Sequence, residues 1–234
     1  MTRRYFLPAI PTVGSVATLD PSESLHAIKV MRVQLGDSVE LFDGKGGQAA
    51  ATVVSITRKE CSCCVESFRT KNREPNRELT FAIALPKPDR CREMIERLTE
   101  LGVKRIVPID ASRTQRGPST SLIEKLRRAV VEACKQSGRN VLMEIADPVS
   151  LGEFLQEEDD AAAKWIAHPD GDAVGLNEIA PLLSVTALVG PEGGWSDDEV
   201  NLSIERGFRK VSLGQRIYRI ETAAVYLASR LIDS

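Results

Sequence analysis

Residues 187–200 read ALVGPEGGWSDDEV and residues 211–228 read VSLGQRIYRIETAAVYLA, and these two stretches decide the fold. The first begins inside an apolar run, Val185–Val189, whose length and β-branched residues are typical of a buried strand. The glycines that follow predict a tight loop. Ser196 and Glu199 then form a capping box, which predicts that a helix begins directly after the loop. The order is strand, glycine loop, helix.

The second stretch repeats this order. Lys210–Leu213 is predicted to be a short strand, Gly214 ends it, and Glu221–Leu231 is rich enough in Ala and Leu to form a closing helix. Two such loops can enclose one ligand. Glycine and proline in this pattern are also common in ordinary turns, so the residues alone leave a purely structural role as an equal alternative.

The loops do not have the chemistry of a phosphate site. No Gly-Lys-Ser or Gly-Lys-Thr follows the glycines, and no G-x-G-x-x-G follows an early strand, so both common nucleotide-binding fingerprints are absent. Glu192 stands inside the first loop and would repel an anion. A ligand with positive charge fits these residues better than a phosphate.

The charge is divided along the chain. The net charge is −2, yet residues 1–150 hold 24 Lys and Arg against 18 Asp and Glu, whereas residues 151–234 hold 7 against 15. An excess of positive charge suits contacts with nucleic-acid phosphates, and an excess of negative charge suits a cationic cofactor. The two parts of the chain are therefore expected to have different ligands.

Length and composition indicate a soluble enzyme of one or two domains. The chain has 234 residues, of which 42% are hydrophobic and 27% charged, and no apolar run approaches the roughly 18 residues of a membrane span. No secretory leader opens it, so a cytoplasmic location is expected. Five cysteines suggest a reducing compartment. Cys61, Cys63 and Cys64 are interpreted as strand residues, with Cys61 and Cys63 on one face, and no metal site is expected.

Two domains are predicted. Residues 1–72 hold short strands joined by Gly-rich turns and are expected to form a small β-barrel-like domain. Residues 73–234 alternate strands and helices, which predicts an α/β domain with a parallel sheet covered by helices. Ligands of such sheets bind beyond the carboxyl ends of the strands, where both glycine loops fall.

Four ordered segments resemble one known family. They are GPEGG with the later LG-x-R-I-x-R-x-ETA, LHAIKVMRVQLGDSVELFDGKG at 25–46, MIERLTELGVKRIVPI at 94–109, and EACKQSGR at 132–139. Together they are similar to the RsmE family of 16S rRNA uracil-N3 methyltransferases, within the SPOUT superfamily of S-adenosylmethionine enzymes. The chain departs from the family pattern at Leu126, Tyr218 and Ile220. The resemblance implies a PUA-like N-terminal domain, a C-terminal trefoil knot and a homodimer.

The resemblance also implies site residues. For S-adenosylmethionine these are His168, Leu188, Val189, Gly190, Pro191, Glu192, Gly193, Gly194, Leu213, Gly214, Ile217, Tyr218, Arg219, Thr222 and Ala223. For RNA they are Arg3, Arg4, Lys29, Arg32, Arg113 and Arg116.

The implied reaction is methyl transfer to N3 of a uridine in 16S rRNA of the small ribosomal subunit. N3 must lose its proton to become a nucleophile, and a nearby cation would stabilise the resulting anion. Arg219 and Arg113 are the candidates for that cation, and Glu221 is a candidate base that could instead orient Arg219. A ribose 2′-O-methyltransferase of the same superfamily and a non-enzymatic RNA-binding ribosome-assembly protein remain as alternatives.

Overall fold

The chain forms two compact units. The computed structural model describes residues 3–114, 117–157, 163–173, 176–179 and 182–232. The first unit contains Met1–Glu74 and Cys134–Leu142, and the second contains Pro75–Ala133 and Met143–Ser234. Within the described residues, no helix is both long enough and apolar enough to cross a membrane.

The first unit is built on a five-stranded sheet of order β1-β3-β4-β5-β2. Its elements are β1 (Arg4–Phe6), β2 (Val16–Thr18), α1 (Pro21–Leu25), a π-helical turn (His26–Val30), β3 (Ser38–Phe42), β4 (Gly47–Ile56) and β5 (Cys61–Thr70). β1 pairs with β3 in parallel, and the other neighbours are antiparallel. In the pairings of the described residues β1 and β2 do not meet, so the sheet is a PUA-like half-barrel, which confirms the β-barrel-like domain expected from the sequence.

Alternation along the strands buries one face of this sheet. Leu41, Ala51 and Val65 are fully buried in its core. Cys61 and Cys63 join the same core, while the side chain of Cys64 is partly exposed, as the strand period predicts. The α-helix α1 is short; it is capped by Asp20 and continues directly into the π-helical turn.

A buried polar network ties Cys134–Leu142 into the first unit. Arg4 is 7% exposed, and its guanidinium donates to Glu40, to the Asn140 side chain and to the carbonyl of Cys134. Arg139 forms a two-pronged ion pair with Glu74. Asn140 also donates to the side chain of Gln48 and to the carbonyl of Lys71, both at 3.2 Å. The hydrogen-bonding groups of these residues are therefore paired with one another in a region that water does not reach.

The second unit is an α/β domain. Its elements are β6 (Glu78–Ile83), α2 (Pro88–Glu100), β7 (Arg105–Asp110), α3 (Thr120–Ser137, whose last turn belongs to the first unit), β8 (Glu144–Ile145), β9 (Val149–Ser150), α4 (Leu151–Glu157), β10 (Ala163–Ala173), α5 (Leu176–Ile179), β11 (Ser184–Val189), α6 (Asp197–Glu205), β12 (Arg209–Ser212) and α7 (Ile220–Ile232).

The sheet of the second unit has seven strands in the order β12-β10-β11-β6-β7-β8, with β9 also paired to β7. Every one of these pairings is parallel, as the alternation of strands and helices predicts. The central strands β6 and β11 are almost entirely buried, which is typical of a sheet covered on both faces. Strand pairing does not trace how the chain threads, so the trefoil knot stays a prediction.

Candidate functional site

The candidate site lies at the ends of three neighbouring strands of the parallel sheet. β12, β10 and β11 lie side by side, and parallel strands end at the same edge of a sheet. The residues that follow β11 and β12 are the two glycine loops of the sequence analysis. The register pairs Trp165 of β10 with Ala187 of β11 and with Arg209 of β12, so the ends of the strands are aligned.

A cavity of about 550 Å³ opens at this edge. This volume is in the range of small-molecule and cofactor sites. Its lining includes most of the residues predicted to bind the cofactor, namely His168, Val189, Gly190, Pro191, Glu192, Gly194, Leu213, Gly214, Ile217, Tyr218, Arg219 and Ala223.

Three residues predicted for the cofactor lie off this lining. Leu188 is fully buried in the apolar core, where its strand register places it between Ile166 and Ala82. Gly193 lies against Arg113, and a Cβ at that position would be 3.2 Å from the Arg113 Cβ. Thr222 lines a second cavity, beside α2 and α7. No local sequence pattern distinguishes these three positions from the lining residues.

The lining also contains residues that were not predicted to bind the cofactor: Ala167, Pro169, Asp170, Trp195, Arg216 and Ile220. Trp195 packs under the first loop, and its indole N–H donates to the carbonyl of Ala167 at 3.2 Å. Asp170 donates its backbone N–H to Nδ1 of His168 at 3.1 Å. His168 begins this turn and was predicted to lie at the site. Pro169 and Asp170 could have been predicted from it, because residues beyond the end of a strand lie at the same edge of the sheet.

The cavity carries charges of both signs. The exposed carboxylates of Glu192 and Asp170 are negative, and the exposed guanidinium groups of Arg216 and Arg219 are positive. Apolar surface comes from Leu213, Ala223 and Ile217, of which Ile217 is 91% exposed. Such a mixture suits a ligand with an apolar part and separate charged ends.

Arg113 is bound to the first glycine loop. Its Nη1 donates to the carbonyls of Gly193 and Trp195, both at 3.0 Å. Since those bonds hold one end of the guanidinium, the structure favours a role for Arg113 in supporting the loop. Of the two candidate cations, Arg219 is the one on the cavity lining.

Glu221 does not face the main cavity. It lies in the first turn of α7 and lines the second cavity of about 300 Å³, together with residues of α2. Its Oε1 is 3.6 Å from Nη1 of Arg90, and its Oε2 is buried without a hydrogen-bond partner among the described residues. Nearby, burial raises the pKa of the Cys91 thiol to about 12, with a further contribution from Glu192 and Glu221. Cys91 is therefore a neutral thiol at physiological pH and not a nucleophile.

The residues predicted to bind RNA fall into different environments. Lys29 and Arg32 are exposed beside the π-helical turn. Arg3 pairs with Asp37. Arg4 is buried in the polar network, where its guanidinium donates to Glu40, Cys134 and Asn140 of the first unit, so the structure does not place it on an exposed RNA-binding surface. Arg116 lies outside the described residues.

Comparison with known proteins defines the class. Residues 72–232 match the RNA methyltransferase domain family, and residues 19–65 match the RNA methyltransferase PUA domain. The chain is therefore an RNA methyltransferase with a PUA domain.

Full-length relatives narrow this class. Ribosomal RNA small subunit methyltransferase E of Aquifex aeolicus is 34% identical over 224 residues, covering 94% of this chain and 95% of the relative. The protein of that name from Synechocystis is 32% identical over 228 residues, covering 95% and 75%. The chain belongs to the ribosomal RNA small subunit methyltransferase E family.

Solved structures agree with this assignment. A methyltransferase from Legionella pneumophila with bound S-adenosylmethionine is 29% identical and superposes with a TM-score of 0.92, covering 99% of this chain and 97% of the other. The small subunit methyltransferase E of Neisseria gonorrhoeae, also bound to S-adenosylmethionine, is 28% identical with a TM-score of 0.91, covering 98% and 96%.

Proposed function

We propose that this enzyme transfers a methyl group from S-adenosylmethionine to N3 of a uridine in 16S rRNA of the small ribosomal subunit. The observation that carries the proposal is the cavity formed by the two glycine loops at the carboxyl edge of the parallel sheet. Membership of the family supports the reaction class, and the bound cofactor in two relatives supports the choice of methyl donor.

The residues of the cavity fit S-adenosylmethionine. Its methyl group is carried on a positively charged sulfur, which makes the methyl electrophilic. Asp170 and Glu192 place negative charge on the lining, while Leu213, Ile217 and Ala223 provide apolar surface for an adenine ring. Gly214 adds space, because a Cβ at this position would have no neighbour within 4 Å.

The acceptor needs help to become nucleophilic. N3 of uridine holds its proton at neutral pH, with a pKa near that of a tyrosine hydroxyl, about 10. Arg219 lies exposed on the cavity lining, where its positive charge would stabilise the anion shared by N3 and the flanking carbonyl oxygens. N3 is on the pairing edge of the base, so the target uridine must be unpaired when it enters.

Glu221 is not assigned as the base. Its carboxylate lies on the second cavity, with Arg90 on one oxygen. The electrostatic effect of Arg219 lowers the pKa of N3 and favours loss of the proton to water. On the RNA side, Lys29 and Arg32 remain the exposed candidates of the first unit.

We also propose that the enzyme is a homodimer that uses the α2–α7 face. The second cavity on this face is lined by Met94, Val225 and Tyr226, together with Glu93 and Arg97. Apolar residues framed by opposite charges are typical of a surface that covers itself with a second copy.

The experiment is a product analysis of small subunits from a strain that lacks this protein. Methylation at N3 blocks base pairing, so reverse transcription of rRNA stops at the modified base. We expect one stop to disappear in the deletion strain and to return when purified enzyme and S-adenosylmethionine are added. Nucleoside mass spectrometry should identify N3-methyluridine; a ribose-methylated product would contradict the proposal.

The role of Arg219 is tested in the same assay. Arg219→Met removes the cation and should lower kcat about 100- to 1000-fold, while calorimetric affinity for S-adenosylmethionine changes little. Arg206→Met, at an exposed position after α6 that is not on the lining, is the matched control and should keep its activity. Equal activities of the two variants would exclude Arg219 as the stabilising cation.

A further inference from the structure

The two carboxylate oxygens of Glu199 accept hydrogen bonds from two different segments of the second unit. Its Oε2 closes the capping box of α6, accepting from the backbone N–H of Ser196 at 2.8 Å and from the Ser196 hydroxyl at 3.1 Å. Its Oε1 accepts the backbone N–H of Ser112 at 2.7 Å, although Ser112 is 87 residues earlier in the chain. A capping box needs only one of these oxygens. The bond to Ser112 is thus additional to helix capping.

Ser112 belongs to a compact turn at the end of β7, residues 111–114. The backbone N–H of Thr114 donates to the carbonyl of Ala111 at 2.9 Å, and the Thr114 hydroxyl accepts the Ala111 N–H at 3.0 Å. These two hydrogen bonds close the turn. Arg113 extends from it to the carbonyls of Gly193 and Trp195. The turn and the first glycine loop are consequently joined at two points, one through Glu199 and one through Arg113.

The carboxylate is ionised at neutral pH. Burial alone would raise the pKa of Glu199, but the hydrogen bonds from Ser196 and Ser112 outweigh burial and hold that pKa below its ordinary value. Hydrogen bonds to an ionised acceptor are stronger than those between neutral groups. Glu199 can therefore hold both the cap and the turn firmly.

The loop that is held in this way forms part of the cofactor cavity. Gly190, Glu192 and Gly194 are on the cavity lining, whereas Glu199 and Ser112 are not. The carbonyls that Arg113 engages belong to residues on either side of Gly194. Any shift of the turn would move Arg113, and with it the backbone that lines the cavity.

We propose that Glu199 is a positioning residue for methyl transfer, which keeps residues 111–114 and Arg113 in place and so maintains the shape of the first glycine loop. This inference rests on the proposed function, since it concerns the same cavity. Glu199 acts through Arg113 and does not touch the cofactor.

Two variants separate positioning from helix capping. Ser196→Ala removes the hydroxyl of the capping box but leaves the Glu199–Ser112 bond. Glu199→Gln keeps a single acceptor oxygen, which cannot serve Ser196 and Ser112 together. Both variants should lower the melting temperature. Only Glu199→Gln should weaken calorimetric binding of S-adenosylmethionine, by about tenfold or more, and lower kcat/KM by up to about 100-fold.

Hydrogen exchange measures the Glu199–Ser112 hydrogen bond directly, and no ligand is needed. The Ser112 amide should remain protected in Ser196→Ala and should exchange at least about tenfold faster in Glu199→Gln. Measurements are made at a temperature where circular dichroism shows both variants folded. If Glu199→Gln binds the cofactor as tightly as Ser196→Ala does, the proposal is overturned.

A double-mutant cycle tests whether Glu199 acts through Arg113. We expect Arg113→Met to weaken cofactor binding, and Glu199→Gln to add less than about a twofold further loss in that background. Fully additive losses, or an Arg113→Met variant that binds normally, would overturn the proposal. Failure of the proposed function would be recognised separately, because it depends on which nucleoside the wild-type enzyme methylates and leaves the Ser112 exchange rates unaffected.

Discussion

Gly190, Gly193 and Gly194 meet three different demands within one loop. A Cβ on Gly190 would lie 2.7 Å from the Trp195 ring, and one on Gly193 would lie 3.2 Å from the Arg113 Cβ. Gly194 has a φ of 70°, in the left-handed region. The loop therefore needs glycine mainly for its own packing, and the space for a ligand is better attributed to Gly214.

Gly214→Ala tests this distinction. Gly214 has a φ of 118° and lies on the cavity lining with open space where a Cβ would project. Alanine there should cost about 1–2 kcal/mol of unfolding free energy and should also reduce calorimetric cofactor affinity, because the new methyl group enters the cavity.

Gly36→Ala is the matched control for that substitution. Gly36 has a φ of 85°, also with open space around it, and it lies in the first unit. Urea unfolding should show a similar loss of stability, and cofactor affinity should be unchanged. Equal cofactor affinities for the two alanine variants would remove Gly214 from the site.

The buried environment of Arg4 could not be predicted from the residue and its neighbours in the sequence. Its position near the start of the chain is typical of an exposed cation, and the family resemblance implies that it contacts RNA. Its partners Cys134 and Asn140 are 130 and 136 residues away. No local sequence pattern indicates a partner at that distance. Lys29 and Arg32, by contrast, are exposed.

Helices and strands were predicted best where a sequence pattern has a direct physical cause. The capping box at Ser196 correctly predicted the start of α6, and its reciprocal hydrogen bonds are present. The apolar run before Gly190 correctly predicted the buried strand β11. The short strand β2 was not predicted, because its three residues have no length or period that separates them from a loop.

Asn140 lies just beyond the end of α3, in the buried polar network of the first unit. Asn140 is 1% exposed and bonds to Arg4, Gln48 and the Lys71 carbonyl. Asn140→Leu would leave these buried groups unpaired and should lower the unfolding free energy by about 3 kcal/mol.

The control for Asn140→Leu is Asn72→Ala. Asn72 is exposed and bonds only locally, accepting the backbone N–H of Glu74 at 2.9 Å. Chemical denaturation should show a loss below about 1 kcal/mol. If both variants lost the same stability, the network around Asn140 would not be a principal support of the first unit.

For the whole molecule, family and fold could be read from the sequence because four motifs occur in order along it. The cavity that most of the predicted cofactor residues line could be anticipated in outline for the same reason, and their roles stay predictions. The directions of the Arg113 and Glu221 side chains could not be anticipated, since the side on which a residue faces depends on packing between distant elements. Glu221 follows the second glycine loop directly, yet the helix turns its side chain to Arg90 and the second cavity.

The dimer is a prediction at the molecular scale. Val225→Glu places a charge on the α2–α7 face and should convert the dimer to a monomer in light scattering coupled to size-exclusion chromatography. Val54→Glu makes the same change at a position that is 45% exposed in the first unit and should leave the dimer intact. A monomeric wild-type enzyme would contradict the proposed dimer.

The membership of Cys134–Leu142 in the first unit also bears on biosynthesis. A ribosome releases the chain from its amino end, and domains commonly fold in that order. Here Arg4 and Glu74 are synthesised long before their partners. Asn140 accepts a hydrogen bond from Arg4, and Arg139 forms an ion pair with Glu74. The amino-terminal unit therefore stays incomplete until Pro75–Ala133 of the second unit have been translated, and it can close only when Cys134–Leu142 follow them.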